Sequence, residues 1–317
     1  MDAESLIDRR RLRRRLGRWR VLAVLALALA VVAIGLAAGW RPGTALQQIA
    51  RVEVSGLITE DEKFLELLDD LREEDGVKAV IVKVDSPGGT TVGGETLYHA
   101  VRRLAETKPV AAEVGTLAAS AGYMVAIAAD RVVAHNSSIV GSIGVIFQYV
   151  NASELLARIG VDVNAVKSAP LKAEPSPFAP APPEAIEMIR RLVLNSYDWF
   201  VGLVAERRGF TPEAARQLAD GSVFTGEQGL ANRLVDALGG EEEIRRWLES
   251  ERGVPKDLEI VEREPKQDGT WGLGARAQGA FFRMLGLDPQ ARDLPAALGL
   301  PTPRLDGLLS LWQPPAH

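Results

Sequence analysis

Nineteen consecutive residues without a charge, Val21–Gly39 (VLAVLALALAVVAIGLAAG), constrain this chain more than any other feature of its 317 residues. At a helical rise of about 1.5 Å per residue the run reaches about 28 Å, the thickness of a bilayer's hydrocarbon core. Trp19 and Trp40 stand at its ends, where indole rings favour the membrane interface. Before it, residues 1–20 hold eight Arg against Asp2, Glu4 and Asp8, a local charge of +5. The other 297 residues carry 29 basic and 39 acidic side chains, so the formal net charge of −5 conceals a basic stub joined to an acidic body. A cleaved secretory signal has the same basic-then-apolar order, but its apolar core is shorter and it ends in a small-residue cleavage site that is not clean here. A soluble helix is rarely apolar all round for five turns. The run therefore reads as a single membrane anchor. By the positive-inside bias the Arg cluster should stay in the cytoplasm, which places everything after Trp40 on the far, extracytoplasmic side of the membrane.

Composition removes several chemistries. There is no Cys, which excludes disulfides, thiolate metal sites and a cysteine nucleophile. His99, His135 and His317 lie in unrelated contexts with no HExxH-type spacing, which disfavours a zinc hydrolase or a Ser-His-Asp triad. The acidic balance argues against a nucleic-acid partner, and nothing calls for a cofactor or a metal.

After a linker at residues 41–48 the chain alternates strand and helix patterns. Ile49–Ser55 reads as a strand. Thr59 with Glu62 has the spacing of a capping box opening a helix to about Glu74. Lys78–Val84 is a β-branched strand, Gly93–Thr107 a helix, Val110–Val114 a strand, Ser120–Ala128 a helix and Arg131–Ala134 a strand. This rhythm predicts an α/β fold with a largely parallel sheet covered by helices. Six prolines between Pro170 and Pro183 mark an extended, exposed loop. A long helix over Glu184–Arg208 follows, then shorter ones opening near Thr211-Pro212, Thr225-Gly226 and Glu241, and a last strand near Asp257–Val261. From about Glu264 the chain is rich in Gly and Pro, with apolar clusters at Phe281–Leu287 and Leu308–Trp312. That tail either packs on a neighbour or the membrane, or is loosely ordered.

Two segments carry candidate chemistry. Asp85-Ser86-Pro87-Gly88-Gly89 follows a buried strand and reads as a tight turn. Gly-Gly there also allows a backbone N–H to face a crevice, as an oxyanion hole requires. Ser120 lies in GTLAASAGY at the next strand-to-helix transition. Small residues at such a place permit close packing, and they also expose a serine hydroxyl beside the following N–H, from Ala121, at a helix N-terminus. A serine nucleophile needs a base, and the histidines are poorly placed. A neutral lysine serves if its site lowers its pKa by about 2–3 units from the usual value near 10.4. Lys167 and Lys172, flanking the Pro-rich loop, both have reach, and spacing does not choose between them.

Five ordered blocks now form one pattern: VDSPGGTTVGGE, GTLAASAGYMVAIAAD, GSIGVI at 141–146, VKSAPLKAEPSPF, and GSVFTGEQGLANRLVDALGG at 221–240. Over about residues 48–262 the chain resembles the membrane-anchored signal peptide peptidases of the SppA type, Ser–Lys serine peptidases on a ClpP/crotonase-like fold. The resemblance implies Ser120 as nucleophile and Lys172 as general base. It implies Gly89 and Ala121 as oxyanion donors, Gly88 as the residue shaping the turn, and Ser142 as the hydroxyl that orients the lysine. It further implies peptide substrates, signal peptides among them, and homo-oligomers in which one copy's lysine completes another's site. Two positions depart from the pattern: Ala121 stands where many members have Gly, and Ala173 separates the lysine from Glu174. One copy of the fold matches the short type. The expected organisation is a basic cytoplasmic stub (1–20), a transmembrane helix (21–39), the peptidase domain (48–262) and a tail (263–317). An acyl-CoA hydratase or isomerase of the same fold, and a non-catalytic membrane scaffold, are the competing readings.

Overall fold

The computed structural model of the protein describes residues 19, 22–27, 29–30, 47–266 and 309–311. The chain separates into a unit ending at Gln47 and a second unit from Gln48 onward. In the first, residues 22–27 and 29–30 are helical, and their large apolar side chains are exposed. Among the described residues no helix is long and apolar enough to cross a membrane. The span read over 21–39 lies largely outside the described residues.

The second unit is a nine-stranded sheet clothed by helices. Its elements run β1 (Gln48–Ile58), α1 (Glu62–Glu73), β2 (Val77–Thr90), α2 (Thr91–Ala105), β3 (Val110–Ala119), α3 (Ala121–Ala128), β4 (Arg131–Ala134) and β5 (Ile139–Gly141). There follow α4 (Ser153–Arg158), α5 (Pro183–Arg208), α6 (Pro212–Leu218), β6 (Val223–Thr225), α7 (Gly226–Ala231), β7 (Ala237–Leu238), α8 (Glu241–Glu251), β8 (Glu259–Glu262) and β9 (Leu309–Leu311). The main path orders the strands β6-β5-β3-β2-β1-β8, and β4 joins β3 to β7. All pairings are parallel except β5 with β6 and β2 with β9. The expected α/β class with a largely parallel sheet is what forms.

A parallel sheet needs cover on both faces, and the central strands are apolar on both. Val80, Val82 and Val84 face a large cluster with residues of α1, α2, α3 and α5, while Ala79 and Ile81 face a smaller one with Ile244, Trp247 and Leu248 of α8. Sequence patterns located most elements to within a few residues. Helix α1 is capped by Asp61, whose side chain accepts from the Phe64 N–H, and not by Thr59, because β1 runs on to Ile58. The segment Pro87–Gly89 is not a free turn: β2 continues through it, with Gly88 opposite Leu57 and Gly89 opposite Ile58 of β1.

Helix α3 is buried along its whole length. Its last carbonyls, which no intrahelical donor can reach, are met by arginines from two neighbouring helices. Arg102 donates to the Ala128 carbonyl at 2.7 Å, and Arg207 donates to those of Ile127 and Ala129, both at 2.9 Å. Burial, and then the nearby Arg102, push the Arg207 guanidinium below its ordinary pKa. Replacing Arg207 by Met leaves two carbonyls unmet and is expected to cost about 2–4 kcal/mol, or about 5–12 °C in melting temperature. An unchanged melting temperature in calorimetry contradicts this capping role.

Candidate active site

Strand β3 delivers Ser120 to the N-terminus of α3. Its neighbours on the sheet are fixed by register: Ser86 of β2 lies opposite Ala118, and Gly141 of β5 lies opposite Ala119. The Ser120 N–H donates to the Gly141 carbonyl at 2.8 Å, and its carbonyl accepts from the Met124 N–H at 2.9 Å in the first helical turn. The residue is thereby tied at both ends, with φ 56° and ψ −119°, a conformation that L-residues rarely adopt. It occupies the cap position of α3 without its side chain capping the helix, and only 1% of it is exposed. A strained, buried serine at a strand-to-helix turn is a feature that the surrounding structure must hold in place.

Ser120 and Ser142 line one cavity of about 380 Å³, with walls from Ile143, Val145, Val193 and Tyr197. Ser142 follows Gly141, has φ 51°, and donates its N–H to the Ser222 carbonyl at 2.7 Å. Asp220 also lines the cavity; hydrogen bonds from Ser222 hold its carboxyl below the usual range. A larger cavity of about 570 Å³ lies against α1. It holds no serine, and its walls are tied by ion pairs, Arg263 with Glu74 at 3.0 Å and Lys266 with Asp70 at 2.7 Å, so the chemistry points to the smaller one.

At the end of β2, Gly88 has φ 108° and donates its N–H to the Ser86 hydroxyl at 3.0 Å; that hydroxyl in turn donates to the Gly56 carbonyl at 2.6 Å. A Cβ on Gly89 would lie 1.8 Å from the Ile58 carbonyl oxygen, so no side chain fits. Ala121 is the first residue of α3, where backbone N–H groups have no intrahelical acceptor.

The structure brings Ser120 and Ser142 to one cavity, and it leaves the lysines outside. Lys172 is exposed and is not among the described residues lining that cavity. Lys167 is ion-paired with Glu174, which also accepts from the Ser176 N–H at 2.9 Å. That pairing holds the Glu174 carboxyl below its ordinary range. His99 packs edge-on against Tyr98, and His135 lies beside Gly240, so neither adjoins the cavity. Among the described residues no cluster of side chains could hold a metal ion. Sequence reasoning missed Val193, Tyr197 and Asp220, which reach the cavity from distant segments and carry no local motif.

An α/β sheet that presents a buried serine on a strained turn beside an open cavity has the architecture of a serine hydrolase. The sequence profile of peptidase family S49 matches residues 102–255. A protein from Synechocystis sp. described as a protease is 36% identical over 225 residues, covering 69% of this chain and 80% of that one. Another, from Methanocaldococcus jannaschii and also described as a protease, is 38% identical over 211 residues, covering 66% and 68%. A protein of Enterococcus faecium described as signal peptide peptidase SppA is 30% identical over 234 residues, covering 69% and 68%. The chain belongs to peptidase family S49 and is a serine protease. The acyl-CoA hydratase and scaffold readings are set aside.

Two outcomes test this geometry. Because both Ser and Ala keep a Cβ in the strained conformation, Ser120→Gly should be more stable than Ser120→Ala by about 1 kcal/mol, inverting the usual order. Equal or reversed stabilities in denaturant unfolding contradict the strain. The Glu174 carboxyl should titrate below the ordinary glutamate value of about 4.3, its ion pair present above that value and lost as pH falls through the lowered one. By NMR titration, Lys167→Met should move the midpoint back up.

Proposed function

We propose that the protein is a membrane-anchored endopeptidase in which Ser120 and Lys172 form a catalytic dyad on a ClpP/crotonase-like fold. The observation that carries the reading is the strained backbone of Ser120, buried at the head of α3 on the wall of a cavity. In the reaction, the Ser120 hydroxyl attacks the scissile carbonyl while the neutral Lys172 amine takes its proton. The tetrahedral oxyanion is held by the N–H groups of Gly89 and Ala121 and by the N-terminal end of α3. Lys172 then protonates the departing amine, and a water deprotonated by the same lysine releases the acyl group from Ser120. Gly88 shapes the strand end, and since its own N–H is given to Ser86, Gly89 is the better oxyanion donor. Ser142 orients the lysine.

The choice of Lys172 over Lys167 is supported by the ion pair that occupies Lys167. Its exposed position favours a dyad completed between copies, with the lysine of one chain entering the cavity of its neighbour. Exposed Tyr149, Val150, Leu155, Ile159 and Val166 on the same arm are the kind of surface that a ring of copies would bury. Residues 21–39 anchor the chain in the inner membrane, with the basic end in the cytoplasm and the peptidase domain outside. A site tethered there suits apolar, extended peptides such as cleaved signal peptides. No cofactor enters these steps.

In a peptide-cleavage assay, Ser120→Ala and Lys172→Ala should each lose at least about a thousandfold in kcat, and the double variant little more, since the pair acts as a unit. Assembled together in equal amounts, the two single variants should regain about a quarter of wild-type activity if sites form between symmetry-related copies. Wild-type cleavage by either single variant overturns the dyad, and no recovery on mixing overturns the sharing.

A further inference from the structure

Lys172 sits on a short turn whose two ends are tied together. Its N–H donates to the Ala169 carbonyl at 3.1 Å, and the Glu174 N–H donates to that of Leu171 at 3.3 Å, so two overlapping turns carry it. Ala173, between Lys172 and Glu174, has φ 59°, the left-handed region that a residue with a Cβ enters at a cost. Fixing such a turn also costs conformational entropy that its own two hydrogen bonds barely offset. What closes it is the pairing of Lys167 with Glu174 across the six residues between them.

The Glu174 side chain is only 9% exposed and that of Lys167 25%, whereas Lys172 is exposed. One Glu174 carboxylate oxygen takes the Lys167 ammonium and the other accepts the Ser176 N–H at 2.9 Å, so the carboxylate grips both the start of the turn and the chain beyond it. One residue further on, the Pro177 carbonyl accepts the Ala152 N–H at 2.8 Å, which joins the segment to the head of α4. An exposed ion pair is worth little, but one that is sheltered and hydrogen-bonded on both oxygens can fix a geometry. Lys172 is the exposed tip of a turn whose base is fastened.

We propose that the Lys167–Glu174 pair is a positioning device for the base: it holds the 168–173 turn in the form that presents the Lys172 amine. The proposal deepens the dyad reading above and rests on it. Neither partner is among the described residues lining the Ser120 cavity, so the pair acts through Lys172 and not on substrate. Without it the turn samples other forms. If the amine is then in place about one-tenth of the time, kcat falls about tenfold and KM stays nearly unchanged.

The test compares the full wild-type chain with Lys167→Met, Glu174→Gln, the two combined, and Lys167→Arg. An apolar fluorogenic peptide gives kcat and KM, and sedimentation at the assay concentration gives the state of assembly. Either single loss should lower kcat about tenfold with KM within about twofold, and the double variant should be no worse than either. Lys167→Arg keeps a cation for Glu174 but cannot act as a base, and it should retain wild-type kcat. Hydrogen exchange read by mass spectrometry, on the same variants in a Ser120→Ala chain, should quicken over residues 168–176 with Met or Gln and not with Arg. Wild-type kcat in the Met and Gln variants overturns the proposal, as does unchanged exchange or a loss of assembly in place of a loss of kcat. Loss with Lys167→Arg as well as Lys167→Met also overturns it, since Lys167 would then itself be the base. Lys172→Ala separates the proposal from the reading beneath it. If that variant is inactive while the Met and Gln variants are unimpaired, the dyad stands and the positioning role falls. If Lys172→Ala cleaves as wild type does, the dyad itself fails.

Discussion

The burial of a single short helix governs this structure. All eight residues of α3 are enclosed, and a helix can be enclosed only where its neighbours are small enough to approach and its end groups have partners. A Cβ on Gly122 would lie 2.7 Å from the Ser86 carbonyl, and one on Gly94 of α2 would lie 2.9 Å from the Ala121 side chain. Gly122 and Gly94 thus answer one packing problem. Tyr123, the largest side chain in the helix, is accommodated by donating its hydroxyl to the Leu234 carbonyl at 2.9 Å, and burial pushes that phenol well above its usual pKa. The arginines that meet the C-terminal carbonyls complete the enclosure.

That enclosure is what makes a strained serine tolerable. Ser120 cannot relax, because β5 holds its N–H and the first turn of α3 holds its carbonyl. A cost on the order of 1–3 kcal/mol is fixed in the fold by the burial around it. The electrostatic work is divided in the same way. The folded unit offers backbone N–H groups and a helix N-terminus, while in the proposed dyad the base comes from the Pro-rich arm, whose Lys172 is exposed. In the proposed mechanism a buried acceptor of charge is paired with a base from an exposed loop, an arrangement that suits a site assembled between copies.

Much of this was legible in the chain. Val80, Ile81, Val82 and Val84, and Val110, Ala111, Ala112 and Val114, put apolar side chains on both faces, so strands of a covered parallel sheet followed from composition, and Thr211-Pro212 and Thr225-Gly226 marked helix starts that form as read. Ser120 stood out because small residues bracketed it at a strand-to-helix boundary. What local pattern did not reveal was set by distant partners. Pro87-Gly88-Gly89 has the signature of a turn, and only pairing with Leu57 and Ile58 makes it strand. The three-residue strands β5 and β6 are too short for a period to show. Val193 and Tyr197 carry no local motif, and only the packing of α5 beside residues 142–146 brings them to the cavity. The choice between Lys167 and Lys172 had no local signal either, since the Glu174 ion pair depends on how the loop folds back.

The central claim is that the strained turn exists to present Ser120 as a nucleophile. Its most direct test is covalent: treat the assembled protein with a fluorophosphonate or an apolar peptidyl phosphonate and locate the adduct by peptide mass spectrometry. One adduct per chain, on Ser120 and blocked by competing peptide, is the expected result. An adduct on Ser86, Ser142 or another residue, or continued peptide cleavage after Ser120 is fully modified, contradicts the account.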